Sequence, residues 1–179
     1  MTSLEREANL LGTLAQVVTD RTTDAIAAAA GHSETAATAL SALRHFLDRP
    51  TIDQLRQVLG LTSSGTVRLV DRLVEAGYVT REPGIDGRST AVLLTRQGRR
   101  VADRVSAARA GVLNGALAGL SPADRATLER LMGEVLAGFV RGRGATRWMC
   151  RLCDTGACGR EEGHCPVANA ALAALDGER

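Results

Sequence analysis

The chain has 179 residues, of which 45% are hydrophobic and 2% aromatic, and its formal net charge is +2 at pH 7. This length suffices for one domain with a buried core plus a smaller addition, whereas no apolar run approaches the ~20 residues needed to cross a bilayer. The first ten residues are polar and include Glu5 and Glu7, unlike a secretory signal, so we expect a cytoplasmic protein with no membrane partner.

Three helices are predicted before residue 61. Aliphatic residues at helical spacing indicate the first over residues 4–30, and a second follows over residues 33–47. Thr51 and Gln54 have the spacing of a capping box that begins a short third helix, and Gly60 is placed to end it. The order of helix, short helix and tight turn is typical of the first part of a helix-turn-helix.

The next helix carries candidate DNA contacts. Thr62 is a suitable N-cap, and one face is predicted to be buried through Thr66, Leu69, Val70 and Leu73. Small hydroxyl residues at a helix N-terminus allow close approach to phosphates, and an arginine one turn further along can reach guanine. For Arg72 a solvated surface charge is the alternative reading. The candidate contacts from this helix are Ser63, Ser64, Val67, Arg68 and Arg72.

A β-hairpin is predicted directly after this helix. Residues 78–82 and 90–95 are rich in β-branched side chains, and residues 83–89 between them contain the turn formers proline, glycine and aspartate. Asp86 lies in the turn and Arg88 at its tip. A single arginine on a narrow projection suits a narrow minor groove, so both residues are candidate DNA-binding residues.

Residues 61–98 resemble the winged helix-turn-helix of the MarR family of bacterial transcriptional regulators. The match to the wing signature D-x-R, then L-T-x-x-G, is formed by Asp86-Gly87-Arg88, Leu94-Thr95 and Gly98. Residues 68–81 also match the recognition-helix stretch of the family, and the likeness extends over residues 35–104. It implies a homodimer that binds double-stranded DNA at a pseudo-palindromic operator, usually as a repressor released by a small-molecule effector or by oxidation.

Two further helices are predicted after the wing, over residues 96–118 and 122–140, the latter beginning at a capping box of Ser121 and Asp124. The resemblance implies that these helices and the first one interlock with a partner subunit. The predicted fold is mainly α with a small β wing. It divides into an N-terminal dimerisation helix (1–34), the DNA-binding domain (35–104), C-terminal dimerisation helices (105–141), and a linker with a four-cysteine segment (142–179).

The four-cysteine segment has a spacing that indicates metal binding. Cys150, Cys153, Cys158 and Cys165 are separated by two, four and six residues. In a reducing compartment such a cluster favours metal ligation over disulfides. Tetrahedral thiolate ligation suits zinc, an iron–sulfur cluster is the alternative cofactor, and a redox-active thiol pair is a third reading. His164 directly precedes Cys165, so the two would bind one ion only under strain, whereas Arg147, Arg151 and Arg160 would offset thiolate charge.

Other functions are weighed against a DNA-binding regulator. A zinc- or thiol-dependent enzyme is disfavoured because four thiolates leave no open coordination position, and the three histidines form no catalytic constellation in the sequence. We therefore expect a protein that is not an enzyme and has no catalytic residues. A winged-helix module that binds protein instead of DNA is a further alternative.

Overall fold

The computed structural model describes residues 3–85, 87–141 and 145–176. Asp86 lies outside the described residues, so its predicted role is not addressed by the structure. The elements follow in chain order: α1 Ser3–Ala30, α2 Glu34–His45, α3 Ile52–Leu59, α4 Ser63–Glu75, β1 Val79–Pro83, β2 Thr90–Leu94, α5 Arg96–Leu117, α6 Pro122–Gly138, α7 Ala145–Met149 and α8 Pro166–Asp176. The predicted fold class, mainly α with a small β wing, is confirmed.

Local capping explains where the central helices begin and end. Thr51 accepts a hydrogen bond from the backbone of Gln54 while the Gln54 side chain accepts one from the Thr51 backbone, so the predicted capping box of α3 is present. Gly60 ends α3 in the left-handed conformation, at φ 66°, where a residue without Cβ is unstrained. Thr62 then caps α4 through the backbone N–H of Gly65. Three helix boundaries therefore follow from short-range hydrogen bonds.

The core lies where α1, α2 and α5 meet the helix-turn-helix unit, by which we mean α2 to β2. Its buried side chains come from every one of these elements and include Ile26, Leu40, Leu55, Leu69, Val70, Leu73, Val79, Val92, Val101 and Val105. The inward face predicted for α4 is confirmed, since Thr66, Leu69, Val70 and Leu73 are all buried. Several hundred Å² of apolar surface are removed from water here, which is the main stabilising contribution to such a fold.

The two strands form one antiparallel sheet in which Val79 faces Leu94 and Pro83 faces Thr90. A third segment extends it, because Thr51 bridges Ala91 and the N–H of Val92 donates to the Pro50 carbonyl at 2.9 Å. The hairpin is thereby fastened to the start of α3. In the described part of the chain, none of the helices combines the length and apolar character that a bilayer crossing needs.

Two elements differ from the sequence-based expectation. The second helix ends at His45, since Phe46 leaves the helical conformation at φ −121°. The arginine- and glycine-rich stretch at residues 141–147 is expected to be a flexible linker, but the helix α7 already begins at Ala145. The segment from α7 to α8, residues 145–176, is called the C-terminal segment below. It lies against the protein body, with α7 contacting α3 and α8 contacting α6.

Candidate nucleic-acid interface and cysteine cleft

The N-terminal end of α4 presents the predicted contacts on one exposed edge. Ser63, Ser64 and Arg68 are exposed, and Val67 is 41% exposed between the buried positions Thr66 and Leu69. The Thr62 side chain accepts from the backbone N–H of Gly65 at this end, and both serines beside it are exposed. Such an end can donate hydrogen bonds to phosphate oxygens while the longer arginine reaches further.

Arg72 lies one turn further along the same helix but in a different setting. Its Nε donates to the carbonyl oxygen of Arg68 at 3.3 Å, so the side chain bends back along the helix. It also lines a small cavity with His32 and Ser33, at the turn between α1 and α2. The structure therefore brings Ser63, Ser64, Val67 and Arg68 together and sets Arg72 apart from them.

An ion pair joins the wing to α4, and no sequence pattern predicts it. Nη2 of Arg81 in β1 lies 2.6 Å from Oδ1 of Asp71 in α4. At the far end of the hairpin, the N–H of Gly84 donates to the Ser89 carbonyl, and Gly87 takes φ 66°. Arg88 is exposed at this tip, as predicted. The tip thus holds an arginine away from the core while the base of the hairpin is held against α4.

The structure explains why two positions of the wing signature hold a threonine and a glycine. The Thr95 hydroxyl accepts from the N–H of Gly98 at 2.9 Å, which caps α5, and donates to the Gly77 carbonyl at 2.7 Å, just after α4. A Cβ atom on Gly98 would collide with the carbonyl oxygen of Tyr78. The threonine and the glycine therefore fix the close approach of α5 to the end of α4.

All four cysteines line one cleft in the C-terminal segment, which we call the cysteine cleft. It measures about 350 Å³ and is otherwise lined mainly by apolar side chains, among them Leu136, Phe139, Trp148 and Pro166. Cys150 and Cys165 are 4% and 2% exposed, and Cys153 and Cys158 are half-buried. The predicted ligands are thus brought to one place although the loop between them spans residues 151–164.

The thiols interact in two pairs. A hydrogen bond from the Cys150 thiol lowers the pKa of Cys153 to about 6, helped by the positive charges of Arg109 and Arg160. The same bond, together with burial, raises the pKa of Cys150 above its usual range. Burial, with a hydrogen bond to Cys165, raises the pKa of Cys158 to about 11. Cys153 is therefore the thiol that carries negative charge most readily.

Arg160 stands beside these thiols with part of its hydrogen-bonding capacity unused. Its Nη1 is buried and has no hydrogen-bond partner among the described residues. Its guanidinium carbon lies 5.3 Å from the centre of the Phe46 ring at the end of α2. Arg151 instead donates to the Trp148 carbonyl at 2.5 Å. The side chain of Arg147 lies outside the described residues.

The thiols are close to one another but do not surround a common point. Among the described side chains, no three of His, Cys, Asp or Glu are arranged so that they could hold a metal ion as they stand. His164 is exposed. The predicted four-cysteine metal site therefore remains a prediction at this point.

The comparisons with known proteins bear on the DNA-binding part. The model of the MarR family matches residues 30–89. The match runs from the end of α1 to the tip of the wing, and the winged helix-turn-helix in this part of the chain is of the MarR type. The MarR-type unit has the fold of a DNA-binding transcriptional regulator, and MarR-family regulators are in general not enzymes. No curated protein sequence matches the chain.

Solved structures of MarR-family proteins have the same fold. A MarR family protein from Bacillus stearothermophilus has a TM-score of 0.69 at 22% identity, covering 79% of this chain and 99% of its own. Apo MarR from E. coli has a TM-score of 0.57 at 25% identity, covering 70% and 96%. CouR from Rhodococcus jostii RHA1, bound to p-coumaroyl-CoA, has a TM-score of 0.53 at 21% identity, covering 70% and 88%. The MarR-family match at residues 30–89 does not include the cysteine cleft.

No sequence pattern predicted the contacts that join the C-terminal segment to the helix-turn-helix unit. The Thr155 hydroxyl donates to the His45 carbonyl at 2.7 Å, and Nδ1 of His45 lies 3.8 Å from Oδ1 of Asp154. Nε2 of His45 is 2.7 Å from the Ser106 hydroxyl of α5. Because these partners are 61 to 110 residues apart along the chain, no local pattern marks them.

Proposed function

We propose that this chain is a transcriptional repressor that binds a pseudo-palindromic operator as a homodimer. In each protomer α4 enters the major groove, with Ser63 and Ser64 donating to phosphates, while Val67 and Arg68 contact base edges. The wing places Arg88 in the adjacent minor groove, where the negative potential is strongest when the groove is narrow. Arg72 is a positioning residue at the α1–α2 turn in this proposal.

The observation that carries the proposal is the exposed edge of α4 beside an arginine-tipped wing. Ser63, Ser64, Val67 and Arg68 are exposed on a helix whose other face is buried, and Arg88 is exposed at the end of a hairpin fastened to that helix. Residues 62–104 contain eight arginines and five acidic residues, whereas residues 1–61 contain five and seven. The positive excess thus lies in the part of the chain that carries the edge and the tip, as DNA binding requires.

Exposed apolar side chains on the first and sixth helices support the homodimer. A soluble monomer rarely exposes such continuous apolar surface, and a two-fold symmetric partner would bury it. The residues concerned are Leu4, Leu10, Leu11, Leu14 and Val17 of α1, and Leu131, Met132, Val135 and Leu136 of α6, followed by Phe139. These are the helices expected to interlock with a partner subunit.

Release of the repressor is proposed to follow a bound small molecule or a change at the cysteine cleft. CouR, which has the same fold, has been solved with p-coumaroyl-CoA bound. In this chain the cysteine cleft is the feature that distinguishes it from a minimal winged helix-turn-helix. Both routes predict weaker operator binding in the presence of the signal.

The test begins with selection of bound duplexes from a random DNA library by the full-length protein. On the selected operator, we expect Arg68→Ala to weaken binding about 10- to 100-fold and to relax preference at one base pair, since a bidentate arginine–guanine contact is worth about 1–3 kcal/mol. Arg88→Ala is expected to weaken binding. It should also reduce, by about one unit, the slope of the logarithm of the binding constant against the logarithm of the salt concentration. Arg125→Ala is the matched control, because Arg125 is exposed on α6, away from both elements.

The same experiment decides between DNA and protein as the partner. A symmetric selected site, together with loss of affinity in Arg68→Ala and none in Arg125→Ala, supports the proposal. Enrichment of no sequence, with equally weak binding by the wild type and all three variants, would contradict it and favour a protein-binding winged-helix module. Sedimentation of the free protein measures the dimer independently of DNA.

A further inference from the structure

The C-terminal segment has too little apolar core to hold its own fold. Of its described side chains, only Cys150, Cys165 and Val167 are buried, and two of these three are cysteines. Segments below about 40 residues usually need a disulfide, a metal or a partner to be stable. The small cluster around the cysteines is completed by half-buried residues that follow α2 and α6, such as Phe46 and Val140. Something besides apolar burial must therefore stabilise the loop between α7 and α8.

The chemistry of the four side chains points to a thiophilic metal. All four cysteines line one cleft, and their side chains are the main polar groups in its otherwise apolar lining. Thiolates are soft ligands that select zinc or iron–sulfur centres over hard cations such as magnesium. Gly159 and Gly163 take φ of 61° and 76°, which turns the chain sharply between the third and fourth cysteines. The loop is thus shaped to return Cys165 to the other three.

A second, independent observation is the buried Nη1 atom of Arg160, whose side chain as a whole is half-buried. Its Nη1 has no hydrogen-bond partner among the described residues, and leaving a buried charged donor unsatisfied is costly. Its positive charge acts on Cys150, Cys153 and Cys158. A metal bound by four thiolates carries net negative charge and sulfur acceptors, which is the partner that this N–H group lacks.

We propose that the four cysteines bind a thiolate-ligated metal centre that fastens the C-terminal segment to the helix-turn-helix unit. Each thiol that binds the metal releases its proton to solvent, and the two pairs close around the metal, because the described side chains do not yet surround a common point. Arg160 donates a hydrogen bond to a ligand sulfur and offsets the negative charge. Such partners typically change metal affinity about 10- to 100-fold.

The fastening acts at the junction of α2 and α3. Thr155, between the second and third cysteines, donates to the His45 carbonyl, and Arg160 lies over the ring of Phe46. The helix α7, which directly precedes the first cysteine, contacts α3. A centre that fixes residues 150–165 therefore also fixes the contacts of Thr155 and Arg160 at the end of α2 and holds the end of α7 near α3.

The first experiment measures metal in the full-length protein purified without oxygen. One zinc per chain in a colourless sample, or iron with acid-labile sulfide and visible charge-transfer bands, would each support the proposal and would identify the metal. Four thiols that react freely under denaturing conditions, with neither metal near one centre per chain after reconstitution with zinc or with iron and sulfide, would overturn it. This measurement does not depend on DNA binding.

The second experiment uses variants and the chain's single tryptophan. Trp148 lines the cysteine cleft, so its emission should change when metal is removed from the wild type by a chelator. We expect Cys158→Ser to lose the metal and to lack this change, and Arg160→Gln to keep the metal with about 10- to 100-fold lower affinity. His164→Ala is the matched control, since His164 is exposed beside Cys165 and should retain normal affinity.

Hydrogen exchange then tests the fastening itself. Removal of metal from the wild type is expected to increase exchange in residues 145–176 and at the start of α3, and re-addition should reverse it. Unchanged exchange in verified metal-free protein would contradict the proposed fastening. Because the readout is made on the wild type, it holds even if a cysteine variant fails to fold.

Discussion

The helix-turn-helix unit and the C-terminal segment are stabilised in different ways. The first is held by a continuous core in which Leu40, Leu55, Leu69 and Val92 are completely or almost completely buried. The second has only one buried apolar residue besides two cysteines, Val167, among its described side chains. The contrast indicates that apolar burial stabilises the first region directly, whereas the second needs a further stabilising contribution, for which we propose the thiolate-ligated metal centre.

The largest expected effect is that loss of metal makes the C-terminal segment accessible to protease while the helix-turn-helix unit stays folded. If the proposed metal centre orders the C-terminal segment, removal of metal should expose it to trypsin after Arg151 and Arg160, which are half-buried in the structure. The helix-turn-helix unit should stay protected under the same conditions. Mass spectrometry of the early fragments measures this, and zinc re-addition is the control. Early cleavage within α2 to β2 would show that the regions unfold together.

A matched pair of valines measures the core of the first region. Val58 in α3 is 1% exposed and Val67 in α4 is 41% exposed. We expect Val58→Ala to lower the free energy of unfolding by about 2 kcal/mol, since apolar contacts are lost and a cavity remains. Val67→Ala should change it by less than about 0.5 kcal/mol. Urea unfolding at equal protein concentration checks both, and equal losses would contradict the described core.

The coupling between the regions should appear in DNA binding. If metal fixes the junction of α2 and α3, its removal should weaken affinity for the selected operator about tenfold, within the usual range of coupling between sites. Fluorescence anisotropy with metal-free and reconstituted protein measures this. Unchanged affinity, in protein whose metal loss is verified, would leave the centre as a structural element of the C-terminal segment without influence on DNA binding.

The smallest effect concerns a single hydrogen bond between the regions. Thr155→Val removes the donor to the His45 carbonyl, which should lower local protection of the C-terminal segment by about 1 kcal/mol, or roughly fivefold in exchange rate. Thr127→Val is the control, because its hydroxyl bonds within its own helix, to the Ala123 carbonyl. Equal effects of the two substitutions would argue against a specific contact at His45.

The sequence predicts the helix-turn-helix unit well because its signals are local. The capping residues Thr51 and Thr62 act over three positions, and the buried face of α4 repeats every three to four residues. The same local chemistry placed Arg88 at the tip of a turn. Residues within a few positions along the chain thus predict which way a side chain points from its own helix or turn.

The position of the C-terminal segment could not be read in this way. Thr155 and His45 are 110 residues apart, so their contact depends on the whole fold. The helix α7 has only five residues and follows a stretch rich in arginine and glycine; a helix this short forms only when packing supports it. The four cysteines of the predicted site line one cleft, whereas the buried Nη1 of Arg160 that lacks a hydrogen-bond partner among the described residues is visible only in three dimensions.

If the chain binds an operator as proposed, the ion pair between Arg81 and Asp71 limits the spacing of the base pairs that the protein can contact. Both side chains are partly exposed, so the pair adds little to stability. It nevertheless links the α4 edge and the hairpin into one body within each protomer. If both bind DNA as proposed, the offset in base pairs between the bases read by Arg68 and those near Arg88 is set inside a single subunit. An inserted base pair between these positions should then be tolerated worse than a change in the flanking sequence.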